Sequence, residues 1–283
     1  MVIESLTNPL KAEHRPWTLF FIGIIYSTLG VFLSLWIFRE YASLVMIFLI
    51  SLACVPLVYA TIRFEEKKDF EILKQSLLLK EHSKALTFLM FLFLGITVSL
   101  TFWYLVFPTD ISSNLFAVQT GTIVNINNQV SGNAVSAPTI LTRIFLNNFK
   151  VLLFCLLFSF IYGLGAIFIL TWNASVIAAA LGNFIRVNMA KYVSAVGFLK
   201  VGAYLQVASL GFMRYAIHGI PEILAYFVGG LAGGIISIAI IKHDFGTPSF
   251  SRIVFDSADL IMVSIALLVF AAIVEVYITP VLF

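Results

Sequence analysis

Apolar residues run along this chain in long stretches separated by short polar breaks. Six stretches, 17–38, 41–62, 85–107, 151–172, 220–241 and 260–279, match the roughly 20 apolar residues that a helix needs to cross a bilayer core of about 30 Å. The first is too long for the apolar part of a signal peptide, lacks a small-residue cleavage site and is followed at once by a second stretch. The pattern predicts an all-α, polytopic transmembrane helix bundle of about six spans, with short re-entrant or interfacial helices between them.

Two connections are long. Residues 63–84 interleave charges of both signs with Phe70, Leu73 and Leu77 at helical spacing, which predicts an amphipathic helix on the inner leaflet. Residues 108–148 are rich in Asn, Ser and Thr and carry only Asp110 and Arg143 as charges. Their end repeats Ile140, Ile144, Phe145 and Phe149 at helical spacing, so an interfacial helix is expected there, with Asn147 and Asn148 at the membrane surface. The interval 173–219 is less regular. Residues 174–185 are apolar but only about half a span long. Residues 193–213 are long enough, yet Lys200, Gly197, Gly202 and Gly211 interrupt them. Both read as helices entering or lying along one leaflet, with a seventh span at 193–213 as the rival.

Composition supports the membrane reading. Of 283 residues, 61% are hydrophobic and 11% charged, against about 45–50% and about 25% in an average globular domain; the mean hydropathy is +1.04. Too few polar side chains exist to cover a water-facing surface, which excludes a soluble enzyme and a nucleic-acid-binding module. The net charge of +3 matters less than its placement. With a cytoplasmic N-terminus, Lys11, Arg15, Arg63, Lys67, Lys68, Lys74, Lys80, Lys84, Arg186, Lys191, Lys200 and Arg214 gather inside, while Arg39, Arg143, Lys150, Lys242 and Arg252 stay outside. This bias predicts a multi-pass protein of the cytoplasmic membrane with both termini inside. Cys54 and Cys155 each lie within an apolar run, and no disulfide framework is indicated.

No phosphate-binding glycine loop, HExxH or Cys/His ligand set is present, so no enzyme activity, cofactor or metal is expected. Ionisable groups inside apolar sequence are the informative ones, because they are costly in lipid and usually face a partner or a cavity. Asn173, Arg186, Arg214, His218, Glu222 and Glu275 are expected to gather at one cytoplasmic-leaflet level. There Glu275 would pair with Arg186 or Arg214, Pro221 would occupy the first turn of a span, and Glu222 would stabilise that helix N-terminus. A structural pair and a transport path are the two readings of this group. Gly229, Gly230, Gly233 and Gly234 allow close helix approach, either within the chain, with Gly163 and Gly165 opposite, or between two copies in a homodimer.

Several features in order resemble the stage II sporulation protein M family: Glu81-His82-Ser83 before the third span, Asn147-Asn148, the Ala-rich segment after Asn173, and His218-Gly219 with Glu222. The closing run from Ile273 to Pro280, with Glu275, Tyr277 and Thr279-Pro280, completes the pattern. The resemblance covers roughly residues 80–283, leaving 1–80 as an added two-span hairpin with the amphipathic helix and 81–283 as the family-like core. It departs at Asn173-Ala174, where the family usually has Asn-Gly. The resemblance implies a non-enzymatic membrane scaffold of the cell envelope, partnering lipid, envelope proteins and a second copy of itself. The alternative reading is a small permease or channel built on the half-spans at 174–213.

Overall fold

The computed structural model describes residues 16–71, 75–131, 136–159, 164–192, 197–241 and 246–282. These form α1 (Pro16–Ile37), α2 (Ala42–Glu71), α3 (Gln75–Val106), α4 (Thr109–Leu115), α5 (Ala117–Ser131), α6 (Ala137–Ser159), α7 (Leu164–Met189), α8 (Gly197–Ile241), α9 (Pro248–Ile273), a π-helical turn (Val274–Ile278) and α10 (Thr279–Leu282). No strand occurs among the described residues. Seven of the helices are long and apolar enough to cross a membrane. The side chains of Phe70, Leu73, Leu77, Gly163 and Gly165 lie outside the described residues, as do Lys11, Arg15, Lys74 and Lys242.

Seven candidates arise where six were expected because the segment from 137 to 241 divides differently. The run 151–172 is not one helix: α6 ends at Ser159 and α7 begins at Leu164. The supposed interfacial helix is the first half of α6, and the supposed half-span 174–185 is the second half of α7. Residues from Gly197 onward are neither re-entrant nor a separate seventh span, but the start of α8, which has 45 residues and is about 68 Å long at 1.5 Å per residue. Its turn begins at Gly197, whose φ of 58° suits glycine. Pro221, expected in a first turn, sits well inside this helix.

Helix directions define two ends of the bundle. Arg186 donates to the carbonyls of Tyr104 (2.5 Å) and Phe107 (3.1 Å) at the end of α3, whereas His82 near the start of α3 meets Glu65 of α2. Arg214 lies with its guanidinium over the Phe184 ring, also at the Arg186 end. Arg186, Lys191, Lys200 and Arg214 therefore lie at the opposite end of the bundle from Lys68 and Lys84, and the charge bias used to orient the chain goes with them. An even number of crossings was also needed to keep both termini on one face. Among the described residues the candidate spans number seven, an odd number.

The connection at 63–84 is not an independent surface helix. α2 is helical to Glu71 and α3 from Gln75, and Glu65, Glu66, Lys68 and His82 are buried. Residues 108–131 are likewise ordered: Gln119 is buried, accepting from Ser43 Oγ (2.7 Å) and donating to Ser175 Oγ (3.2 Å).

A boundary near residue 80 was expected, but one buried apolar cluster runs from Leu19 to Leu268 across it. Glycine makes the closest approaches in this cluster. A Cβ on Gly23 would lie 2.5 Å from the Leu92 carbonyl, and one on Gly95 would overlap the Phe20 carbonyl, so α1 and α3 touch backbone to backbone. The Gly229–Gly234 face also packs within the chain. Added Cβ atoms would collide with Leu152 at Gly229, meet Ala166 at 3.3 Å from Gly230, Ser159 at 2.8 Å from Gly233 and Ile62 at 2.8 Å from Gly234. The partners are α6, α7 and α2. Gly233→Leu should lower stability by about 1–3 kcal/mol, the usual cost of overpacking, read as a lower unfolding temperature in detergent. An unchanged temperature would contradict this packing.

Candidate functional site

Pro221 lacks the N–H that would bond the Ile217 carbonyl, and Pro280 does the same to Val276. The two interruptions lie close together, where α8 and the end of α9 run antiparallel. Around Pro280 the ladder loosens into the π-helical turn Val274–Ile278, and Thr279 Oγ1 donates to the Val274 carbonyl at 3.2 Å. The same hydroxyl lies 3.3 Å from His218 Nδ1. Single π-turns within α-helices are frequent at functional sites, and this one carries Glu275.

Glu222, one turn after His218, accepts a 2.8 Å hydrogen bond from Tyr226 Oη. The Asn148 side chain of α6 faces the same carboxyl, and Glu275 is close enough for the two acidic groups to interact through their charge. Asn148 is 7% exposed; Glu222, Glu275 and His218 are half-buried. The site thus joins His218, Glu222 and Tyr226 of α8, Asn148 of α6, and Glu275 and Thr279 beside the π-turn. Its height follows from α3. Phe93, midway between His82 and Tyr104, packs its ring against Phe227, so the cluster lies near the middle of the bundle, away from either end.

Three of the six residues expected together are brought together: His218, Glu222 and Glu275. Arg214, one turn before His218 on α8, turns its guanidinium to the Phe184 ring, and the remaining two are elsewhere. Asn173 donates to the Ile169 carbonyl in its own helix (2.8 Å). Arg186 holds the end of α3 and also donates to Ser112 Oγ of α4 (2.9 Å). Among the described residues no ion pair joins Glu275 to Arg186 or Arg214, and the charged neighbour that Glu275 has in this cluster is the acidic Glu222. Depth explains the error: with α8 starting at Gly197 rather than near Ile220, His218 and Glu222 sit inside the helix instead of at its mouth. Asn148 is also not interfacial; it is buried in this cluster, while Asn147 is exposed and donates to Asn148 Oδ1 at 3.4 Å. Asn148, Tyr226 and Thr279 are members that the sequence did not single out for this cluster. Among the described residues, no group of three His, Cys, Asp or Glu is arranged to hold a metal ion.

A second polar centre, missed in the sequence, lies at the other end of α3. Glu65 is 0% and His82 1% exposed. Glu65 Oε1 accepts from Lys68 Nζ at 2.8 Å, and Oε2 meets His82 Nδ1 at 2.8 Å. Lys68 reaches Glu81 at 3.6 Å, and Glu81 in turn accepts from Lys84.

The profile of the family described as stage II sporulation protein M matches residues 19–280. The chain belongs to that family. The match starts in α1, so the first two helices are part of the stage II sporulation protein M pattern rather than an addition to a core beginning near residue 80. Both polar centres and the Gly229–Gly234 face fall within it. No curated protein and no solved structure matches this chain. Family membership and the seven apolar helices make it a polytopic membrane protein.

Proposed function

We propose that this stage II sporulation protein M family member is a non-catalytic scaffold of the cell membrane, joining other envelope proteins or a second copy of itself. The observation that carries this reading is the arm formed by the end of α7 and the start of α8. α8 is about twice as long as one crossing requires. Leu181, Ile185, Met189, Ala203 and Val207 close a small apolar cluster of their own there, separate from the main core. The arm's outer face is bare: Phe198 is 97% exposed, with Leu199, Val201 and Leu205 also exposed. A contiguous apolar face of this kind marks an interaction site when it reaches beyond lipid.

The test is assembly size. Extracted gently from the membranes of its host, the protein should run as a complex larger than one 31.4 kDa chain. Phe198→Asp with Leu205→Asp should reduce it to a single chain without changing its unfolding temperature. A wild-type protein already at single-chain mass would contradict the scaffold reading.

A second reading, a small cation or proton permease, is favoured by Glu222 and Glu275 sharing one cluster. Two acidic groups at mid-depth in apolar helices call for a cation or proton between them, because an uncompensated charge there is costly. This reading rests on the carboxyls and no longer on half-spans.

A further inference from the structure

Beside α8, on a different face from Glu222, lies a cavity of about 180 Å³ between α3, α7 and α8. Its lining is apolar, with Phe93, Leu94, Ile177, Phe212, Ala216 and Gly219 among the walls. Phe212 and Ile220 are at once wall residues and exposed on the molecule's surface, so the cavity opens sideways, at the height where lipid chains surround the bundle. Gly219 leaves room: a Cβ there would meet nothing within 4 Å.

A charge stands next to one of the wall residues. Tyr215, which lines the cavity, meets Phe184 edge to face with centroids 6.5 Å apart, and Arg214 lies over the same Phe184 ring at 5.9 Å. Arg214 is exposed, and among the described residues no carboxylate lies within ion-pair distance of it. Arg186, close by in sequence on α7, is held by carbonyls and a hydroxyl rather than by an acid. The guanidinium next to Tyr215 therefore has no carboxylate to neutralise it, while the cavity itself accepts hydrocarbon. A guanidinium recognises phosphate through paired, charge-assisted hydrogen bonds.

We infer that the cavity and Arg214 form a site for one anionic phospholipid, whose acyl chain enters between α3, α7 and α8 and whose phosphate sits on Arg214. Zwitterionic lipid with the same chains fills the cavity but leaves the Arg214 charge only partly matched, so it binds more weakly.

Native mass spectrometry of the full chain in detergent tests this, with palmitoyl-oleoyl phosphatidylglycerol and palmitoyl-oleoyl phosphatidylcholine as probes. One phosphatidylglycerol should stay bound under activation that strips phosphatidylcholine. Arg214→Gln should lower the affinity for phosphatidylglycerol by at least about tenfold, to the level of phosphatidylcholine. Gly219→Leu, whose Cβ would meet nothing within 4 Å and whose longer side chain would occupy cavity space, should weaken both lipids by about tenfold. The lipid-free variants should keep the wild-type unfolding temperature. Equal retention of the two lipids by the wild type would overturn the inference, as would full binding by Gly219→Leu. Displacement of phosphatidylglycerol by millimolar inorganic phosphate would also overturn it, by locating the affinity in a free anion.

Discussion

Glu65→Ala is expected to destabilise the protein by about 3–5 kcal/mol, the usual cost of removing one partner from a buried ionic network. Glu65 is fully buried and compensates both Lys68 and His82. Without it, an ammonium group that is itself buried loses its nearest carboxylate, and the imidazole loses its 2.8 Å contact from α3 to α2. Glu65→Gln should cost less, since the amide still offers an oxygen to one of the two neighbours. Unfolding in detergent, followed by circular dichroism, separates the three proteins. A Glu65→Ala protein as stable as the wild type would show that the network contributes nothing.

The second large effect is expected at Gly95. Even a methyl group there would overlap the Phe20 carbonyl, and backbone cannot step aside as a flexible side chain can. Gly95→Ala should therefore cost about 3 kcal/mol, at the upper end of the overpacking range. Gly202→Ala supplies the contrast. That position is helical and a Cβ would meet nothing within 4 Å, so the protein should gain about 0.4–1 kcal/mol from the reduced freedom of the unfolded chain. Matched unfolding curves for the two variants check both signs. Loss at Gly202 or tolerance at Gly95 would contradict the helix positions.

The helical class was legible because 20-residue apolar runs leave few alternatives in lipid. The division of the middle of the chain was not. From Ile140 to Ile185 apolar residues continue with little interruption, and hydropathy carries no mark that separates α6 from α7. Arg143, Asn147, Asn148 and Lys150 made the first half of α6 look like a surface segment, although one of these, Asn148, is polar because it faces Glu222. The meeting of Glu222 and Glu275 could be read from two adjacent antiparallel spans. The partner assigned to Glu275 was wrong because depth was counted from a span that actually begins 23 residues earlier, at Gly197 instead of Ile220. Arg186 was beyond reach for another reason: its partners are mostly main-chain carbonyls, which no side-chain pattern announces. The Glu65–His82 contact needed the packing of α2 on α3, since the two residues stand 17 apart in a stretch rich in charges of both signs.

The scaffold reading and the permease reading part at the carboxyl pair, and ion flux is the measurement that separates them. The full chain, reconstituted in proteoliposomes with an internal pH-sensitive dye, is placed under a proton gradient and then under a potassium gradient. The account predicts dissipation no faster than in protein-free vesicles, for the wild type and for Glu222→Gln and Glu275→Gln alike. A wild-type flux that either substitution abolishes, with unfolding temperature unchanged, would contradict the scaffold and make Glu222 and Glu275 the ion path.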